Sequence, residues 1–243
     1  MLRRSAWVVG ALAFLITLIV IAPAALIPQF LDVPHLRIER TQGTLWRGSV
    51  ETSLNTQQVG TLTWRVRPVE LIKGSLTVDL TLEREELALT GASVSGFNGH
   101  EVFLSGTIGS RLLNVYIVDY DMRLSGVLAV DDVKLRLNNE NLVEAVTGEL
   151  TWNGGPVRFK LANVMHEVIL EPVHGTLSLD EDFIQMNVRR QRSGEPVLLF
   201  RFDPASGWLH LRALPAFLEF ANVPSNYLMQ DADFLFEVSQ KIF

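Results

Sequence analysis

Apolar and polar positions along this chain fall into two regimes. From Ala6 to Ile27 there are 22 residues without a charge, and Thr17 is the only polar side chain among them. About 20 apolar residues let an α-helix cross the hydrocarbon core with every backbone group bonded internally. The run predicts a transmembrane anchor over residues 6–28, after a short cytoplasmic tail of residues 1–5. Trp7 falls near the first interface. Arg3 and Arg4 precede the span, so the positive-inside rule puts everything from residue 29 onward outside the cytoplasm. Pro23 and Pro28 come late, where a helix end tolerates them. The rival is a cleaved signal peptide, since Ala22-Pro23-Ala24 has the A-x-A form. The apolar run before that site, Ala6 to Ala22, is 17 residues, longer than the roughly 7–15 of a signal core. Both readings export the body.

From about Ile38 the pattern changes to period two. In Ser75–Glu83, Leu76, Val78, Leu80 and Leu82 alternate with Thr77, Asp79, Thr81 and Glu83. Val133–Asn138, Val157–Leu161 and Ile184–Val188 do the same. Such alternation predicts strands with one buried and one wet face, mostly antiparallel. Turn signals lie between them: Asn98-Gly99, Asn138-Asn139, Asn153-Gly154-Gly155 and Ser193-Gly194. The third reads as a hairpin joining Leu150-Thr151-Trp152 to Val157. A Gly, then a small or polar residue, then an aliphatic one recurs at Gly43, Gly60, Gly74, Gly106, Gly148 and Gly175, among others. It suggests strands that each begin at a Gly. Helix is expected only as short pieces after Pro68 and Pro215. The fold class is therefore mainly β. One N-terminal transmembrane helix is followed by a curved, mostly antiparallel multi-stranded sheet domain over residues 29–243, an open sheet or flattened barrel. A weak seam near 138–141 would divide it into two lobes.

Charge and chemistry narrow the function. With 21 Lys and Arg against 27 Asp and Glu, removing Arg3 and Arg4 leaves the body 19 − 27 = −8. An acidic body argues against nucleic acid, which needs clustered cations. Arg189-Arg190-Gln191-Arg192 reads as a solvated turn. There is no cysteine, which removes disulfides, thiolate zinc sites and thiol nucleophiles. The histidines at 35, 100, 166, 174 and 210 lack ligand spacing. Ser93 lacks the second Gly of a nucleophile elbow, and no phosphate-loop motif is present. Glu85-Glu86 and Asp131-Asp132 point to opposite faces of a strand unless a bulge intervenes. No residue is a candidate catalyst, cofactor ligand or metal ligand.

One stretch is sharper. Gly43-Thr44-Leu45-Trp46-Arg47-Gly48-Ser49 is followed by Gly60-Thr61-Leu62-Thr63-Trp64-Arg65 and then Leu71-Ile72-Lys73-Gly74. Gly148-Glu149-Leu150-Thr151-Trp152 echoes the second. Gly43 and Gly48 would bracket a short strand with Trp46 at its middle. Trp46, Trp64 and Trp152 either anchor the core, each burying of order 150–250 Å², or form a greasy docking surface. Arg47 and Arg65, beside tryptophans, must pair or face a partner. Trp46, Arg47, Trp64 and Arg65 are thus the possible partner-docking residues. An anchor followed by G-T-L-W-x-G, L-x-W and L-I-x-G resembles the type II secretion system protein N family.

The resemblance implies a non-catalytic accessory component in the inner membrane of a Gram-negative bacterium, with a periplasmic body. Its partners would be other secretion components, the inner-membrane platform and the outer-membrane secretin, besides membrane lipid through the anchor. It implies no cofactor. An assembly role would act by strand addition at an open sheet edge or by docking near Trp46. The competing function is a lipid-handling module, because an anchor plus a curved sheet is similar to the AsmA-like envelope proteins, with an apolar sheet groove.

Overall fold

The computed structural model describes residues 17, 21–29, 36–54, 57–117, 121–161, 164–222 and 234–241. They divide between Arg84 and Glu85 into two compact units.

The first unit is an antiparallel meander of β1 (Leu36–Gly43), β2 (Arg47–Leu54), β3 (Gln57–Arg67) and β4 (Leu76–Arg84), paired in sequence order. A one-turn helix, α1 (Pro68–Ile72), links β3 to β4. It starts at the proline and stops at Gly74, whose φ of 83° an L side chain resists. One sheet face carries the core of Val50 and Trp64, with Leu62, Val78 and Leu80 half-buried beside them. Directly paired residues share a face, so the other face of the same strands is polar.

Most of the anchor expected over residues 6–28 lies outside the described residues. Among those described, no helix is long and apolar enough to cross a membrane. The end of the apolar run does a different job from the one expected. Pro23 bridges to Thr44, Leu45 donates to the Ala22 carbonyl (3.0 Å), and Ala24–Gln29 is a 3₁₀ helix. Ala24 is 1% exposed against Val50 and Trp64. Pro23 and Pro28 cannot donate in a continuing α-helix, and a small side chain fits under the indole. Residues 22–28 therefore belong to the β unit.

The second unit holds β5 (Leu87–Gly96), β6 (Gly99–Gly109), α2 (Ser110–Ile117), β7 (Arg123–Leu124), β8 (Val127–Leu137) and β9 (Val143–Trp152). It continues with β10 (Gly155–Leu161), β11 (Val164–Leu170), β12 (Val173–Asp180), β13 (Phe183–Arg189), β14 (Pro196–Asp203) and β15 (Trp208–Ala213). It ends with α3 (Ala216–Phe220) and β16 (Phe236–Lys241). Its large antiparallel sheet runs β5-β6-β8-β9-β12-β13-β14-β15-β16 and does not close into a barrel. A small sheet, β11-β10-β7, packs its Val157, Phe159 and Leu170 into the same core as Trp152, Val188 and Val197.

Three local expectations change. Asn153-Gly154-Gly155 is not a hairpin: β9 pairs with β8 and β12, while β10 pairs with β7 and β11. Asn153 holds β8 instead, its Oδ1 accepting from Val127 N–H at 2.8 Å, and Gly154 and Gly155 (φ 80° and 138°) carry the chain to the other sheet. The recurrent glycines at 60, 106, 148 and 175 lie inside strands rather than at their starts. At Gly106 (φ +144°) a Cβ would sit 2.0 Å from the Ala88 carbonyl oxygen, beside a register shift, so the glycine marks a close strand approach. The seam near 138–141 is the β8–β9 turn, inside this unit, where Asn138 Oδ1 accepts from Glu140 and Leu142 N–H.

The sequence reading passed over α2. Its Asn114 side chain donates to the Leu124 carbonyl and accepts from Leu124 N–H, both at 2.8 Å. A carboxamide offers one donor and one acceptor, as a peptide does, so Asn114 caps the free edge of β7.

Candidate functional site

The four docking residues inferred from sequence separate in the first unit. Trp64 points to the core, 8% exposed, and its Nε1–H donates to the Leu45 carbonyl at 3.2 Å. Gly48 is needed beneath it, since a Cβ there would lie 2.4 Å from the indole. Trp46 is not mid-strand but in the β1–β2 turn, half-buried, its carbonyl accepting from Val66 N–H at 2.8 Å. Trp64 is thereby removed from any docking surface.

Arg47 and Arg65 are brought together. They are direct cross-strand partners on β2 and β3, and Asp79 on β4 is the next partner of Arg65. Two residues along the strands, Gln42, Ser49, Thr63 and Thr81 form a parallel polar row. The two rows line an open trough of about 680 Å³ on the wet face. Its one carboxylate is already engaged. Arg67 grips Asp79 with both arms, Nε to Oδ2 at 2.8 Å and Nη2 to Oδ1 at 2.6 Å. The hydrogen bond from Arg67 holds the Asp79 carboxyl below the usual range, with smaller charge contributions from Arg67 and Arg65, and Arg67 is raised in turn. Among the described residues, neither exposed guanidinium of Arg47 or Arg65 has a carboxylate at ion-pair distance. Like charges directly opposite on a sheet repel. An incoming carboxylate or phosphate between these forks would relieve that repulsion with charge-assisted, bidentate bonds.

The second unit contains a feature of opposite character. Between its large sheet, its small sheet and helices α2 and α3 lies a cavity of about 360 Å³. Among the described residues, every side chain lining it is apolar, from Leu113 on α2 to Phe236 on β16. Trp152 contributes its ring, while its Nε1–H is spent on the Ser125 carbonyl at 2.8 Å. Phe217 on α3 closes one side, edge-on to Phe159 and Phe236 with ring centres 5.5 and 6.4 Å away. Alternation marks each wall strand as half-buried, but not that two apolar faces stop short of contact, so sequence reasoning did not locate the cavity.

The remaining polar residues are dispersed. Asp131 and Asp132 do flank a bulge, with Asp132 at φ 47°, yet no group of three or more His, Cys, Asp or Glu that could hold a metal ion occurs among the described residues. Arg190 pairs with Glu171 (2.7 Å) and Arg192 with Glu149 (3.0 Å), in keeping with a solvated turn.

Residues 34–216 match the family model described as type II secretion system (T2SS), protein N. No curated protein and no solved structure matches the chain.

Proposed function

Starting from the premise that the chain belongs to the type II secretion system protein N family, we propose that it is a non-catalytic assembly component docking through the Arg47–Arg65 trough. The match covers three quarters of the sequence, and it makes the protein an accessory component of type II secretion. In this reading the apolar residues before Ala22 tether the chain to the inner membrane. The two β units then stand on the periplasmic side, within reach of the platform and the secretin.

The observation that carries the docking reading is the pair of adjacent arginines on a polar sheet face where, among the described residues, the one carboxylate lining the trough is held by Arg67. Two forks at one interstrand spacing, flanked by Ser49 and Thr63 hydroxyls, suit an acidic segment of another secretion component. Arginine at the centre of a contact is also where binding energy concentrates.

The test is photo-crosslinking in secreting cells, with a photoreactive residue placed at Arg47 and at Arg65 in turn. Adducts to a platform protein or the secretin are expected. They should fall sharply when the untouched arginine of the pair is reversed to glutamate. Adducts only to phospholipid, or adducts indifferent to charge reversal, would refute docking at this face.

A further inference from the structure

We propose that helix α1 of the first unit is a second membrane contact, its exposed aliphatic side chains dipping into the lipid surface from which the chain emerges. This rests on the reading that the apolar residues before Ala22 lie in the inner membrane.

The first support is surface chemistry. A helix ordinarily turns its apolar residues to the core and its polar ones outward. In α1 nothing is buried, although Val69, Leu71 and Ile72 are aliphatic. Ile72 is 88% exposed and Val69 63%, and Leu76 at the start of β4 is 41% exposed. Single apolar residues scattered over a surface are ordinary, but these are gathered in one turn and the residue that opens the next strand. Val69 and Ile72, three apart, are neighbours on the helix surface. The acid of the turn, Glu70, is held by Lys73 at 3.1 Å, so the turn brings no unbalanced charge to a lipid.

The second support is position. Strands β2 and β3 pair through Arg47 and Arg65, and β3 and β4 through Arg67 and Thr77. The β1–β2 turn and α1 therefore stand at the same end of the meander. Val66 N–H, two residues before α1, donates to the Trp46 carbonyl of that turn at 2.8 Å. Residues 22–24 reach the same end, where Pro23 bridges Thr44 and Leu45 N–H donates to the Ala22 carbonyl at 3.0 Å. The apolar run thus joins the unit at its α1 end. The opposite end of the strands is about 23 Å away along β4.

With the run in the bilayer, the α1 end faces the membrane. Trp46, half-buried there, is at home at such a boundary. An interfacial helix sits roughly 5–10 Å deep, at the junction of headgroups and acyl chains. One turn binds weakly by itself, but the anchor keeps it at high effective concentration. The contact therefore fixes how the first unit stands on the membrane. A protein partner could also cover the turn, but would give no reason for it to stand where the apolar run arrives.

The chain has no cysteine, so one introduced thiol carries a fluorophore without competition. Full-length protein is reconstituted in vesicles of phosphatidylethanolamine and phosphatidylglycerol, with a nitroxide high on the acyl chain of some lipids. Probes are placed at Leu71→Cys, at Glu83→Cys on the far end of β4, and at Ala13→Cys within the apolar run. Strong quenching at Leu71 and little at Glu83 is expected. Val69→Ser with Ile72→Ser should shift the docked-to-free ratio of the turn by about tenfold or more, lowering quenching at Leu71 and leaving that at Ala13 unchanged. Neither side chain is buried, so this variant keeps its fold. Quenching at Ala13 with Leu71 no different from Glu83 would overturn this proposal and leave the anchor standing. Quenching at neither Ala13 nor Leu71 would remove both. Quenching at Leu71 that the two serines do not change would also overturn the proposal.

Discussion

Trp64→Ala should unfold the first unit while leaving the second standing. The first unit has a small core: among the described residues, the buried apolar side chains are Ala24, Val50 and Trp64. An aromatic side chain covers roughly 150–250 Å², which at ~25 cal/mol per Å² gives about 4–6 kcal/mol as an upper bound. Measured Trp-to-Ala costs of about 3–5 kcal/mol place the packing loss near 4. The Leu45 carbonyl also loses its indole donor, adding about 1 kcal/mol. For a unit of this size each kcal/mol moves the midpoint by ~4–8 °C, so a loss near 4–5 kcal/mol leaves it unfolded at growth temperature. Hydrogen exchange read by mass spectrometry on the full chain resolves the two units. Peptides from β2–β4 should lose that protection, and peptides from β13–β15 should change by less than about 0.5 kcal/mol. Trp64→Phe, which keeps most of the area, should cost only about 1–2 kcal/mol. A loss below about 1 kcal/mol for Trp64→Ala, or one shared equally by both units, would refute the two-core description.

Asp79 is held below the usual carboxyl range mainly by its hydrogen bonds from Arg67. Its contribution to stability is therefore complete above the ordinary value near 4 and is lost as pH falls through the depressed one. Urea midpoints of the first unit should decline over that acid window, and Asp79→Asn should flatten the decline. Asn114→Ala removes both bonds to Leu124 and should cost about 2 kcal/mol, seen as faster exchange of the Leu124 amide. Gly106→Ala forces a Cβ to within 2.0 Å of the Ala88 oxygen at φ +144° and should cost at least ~2 kcal/mol in thermal unfolding. Gly96→Ala, with nothing within 4 Å, should stay within about 0.5 kcal/mol.

The strands were legible because period-two alternation follows directly from having one wet face: the alternating stretch 75–83 falls almost wholly in β4 and 184–188 lies in β13. Pro68 and Pro215 located two short helices for the same local reason. What failed was long-range. Asn153-Gly154-Gly155 carries a hairpin's composition, but its two strands are claimed by different neighbours, and partner choice leaves no mark on three residues. Trp46 was misplaced because Gly43-Thr44-Leu45 reads as a strand start, whereas Thr44 Oγ1 accepts from Trp46 and Arg47 N–H, at 3.3 Å each, and turns the chain. Arg47 and Arg65 were singled out as neighbours of tryptophans. That they stand opposite one another depends on register, which one sequence does not disclose. Helix α2 was missed because its two turns carry no capping signal beyond Ser110.

The order of strands bears on how such a chain is built. In the first unit every strand pairs with the one made just before it, and β5, β6 and β8 repeat the habit with one short detour. Few loops must close over long distances, so the chain can fold from its N-terminus as it emerges, without waiting for its end. A secretion component delivered lengthwise would then expose little unpaired edge at any moment. The exception is the apolar cavity of the second unit, whose lining residues Phe217 and Phe236 arrive last. Until then the apolar faces that will form this core stay uncovered.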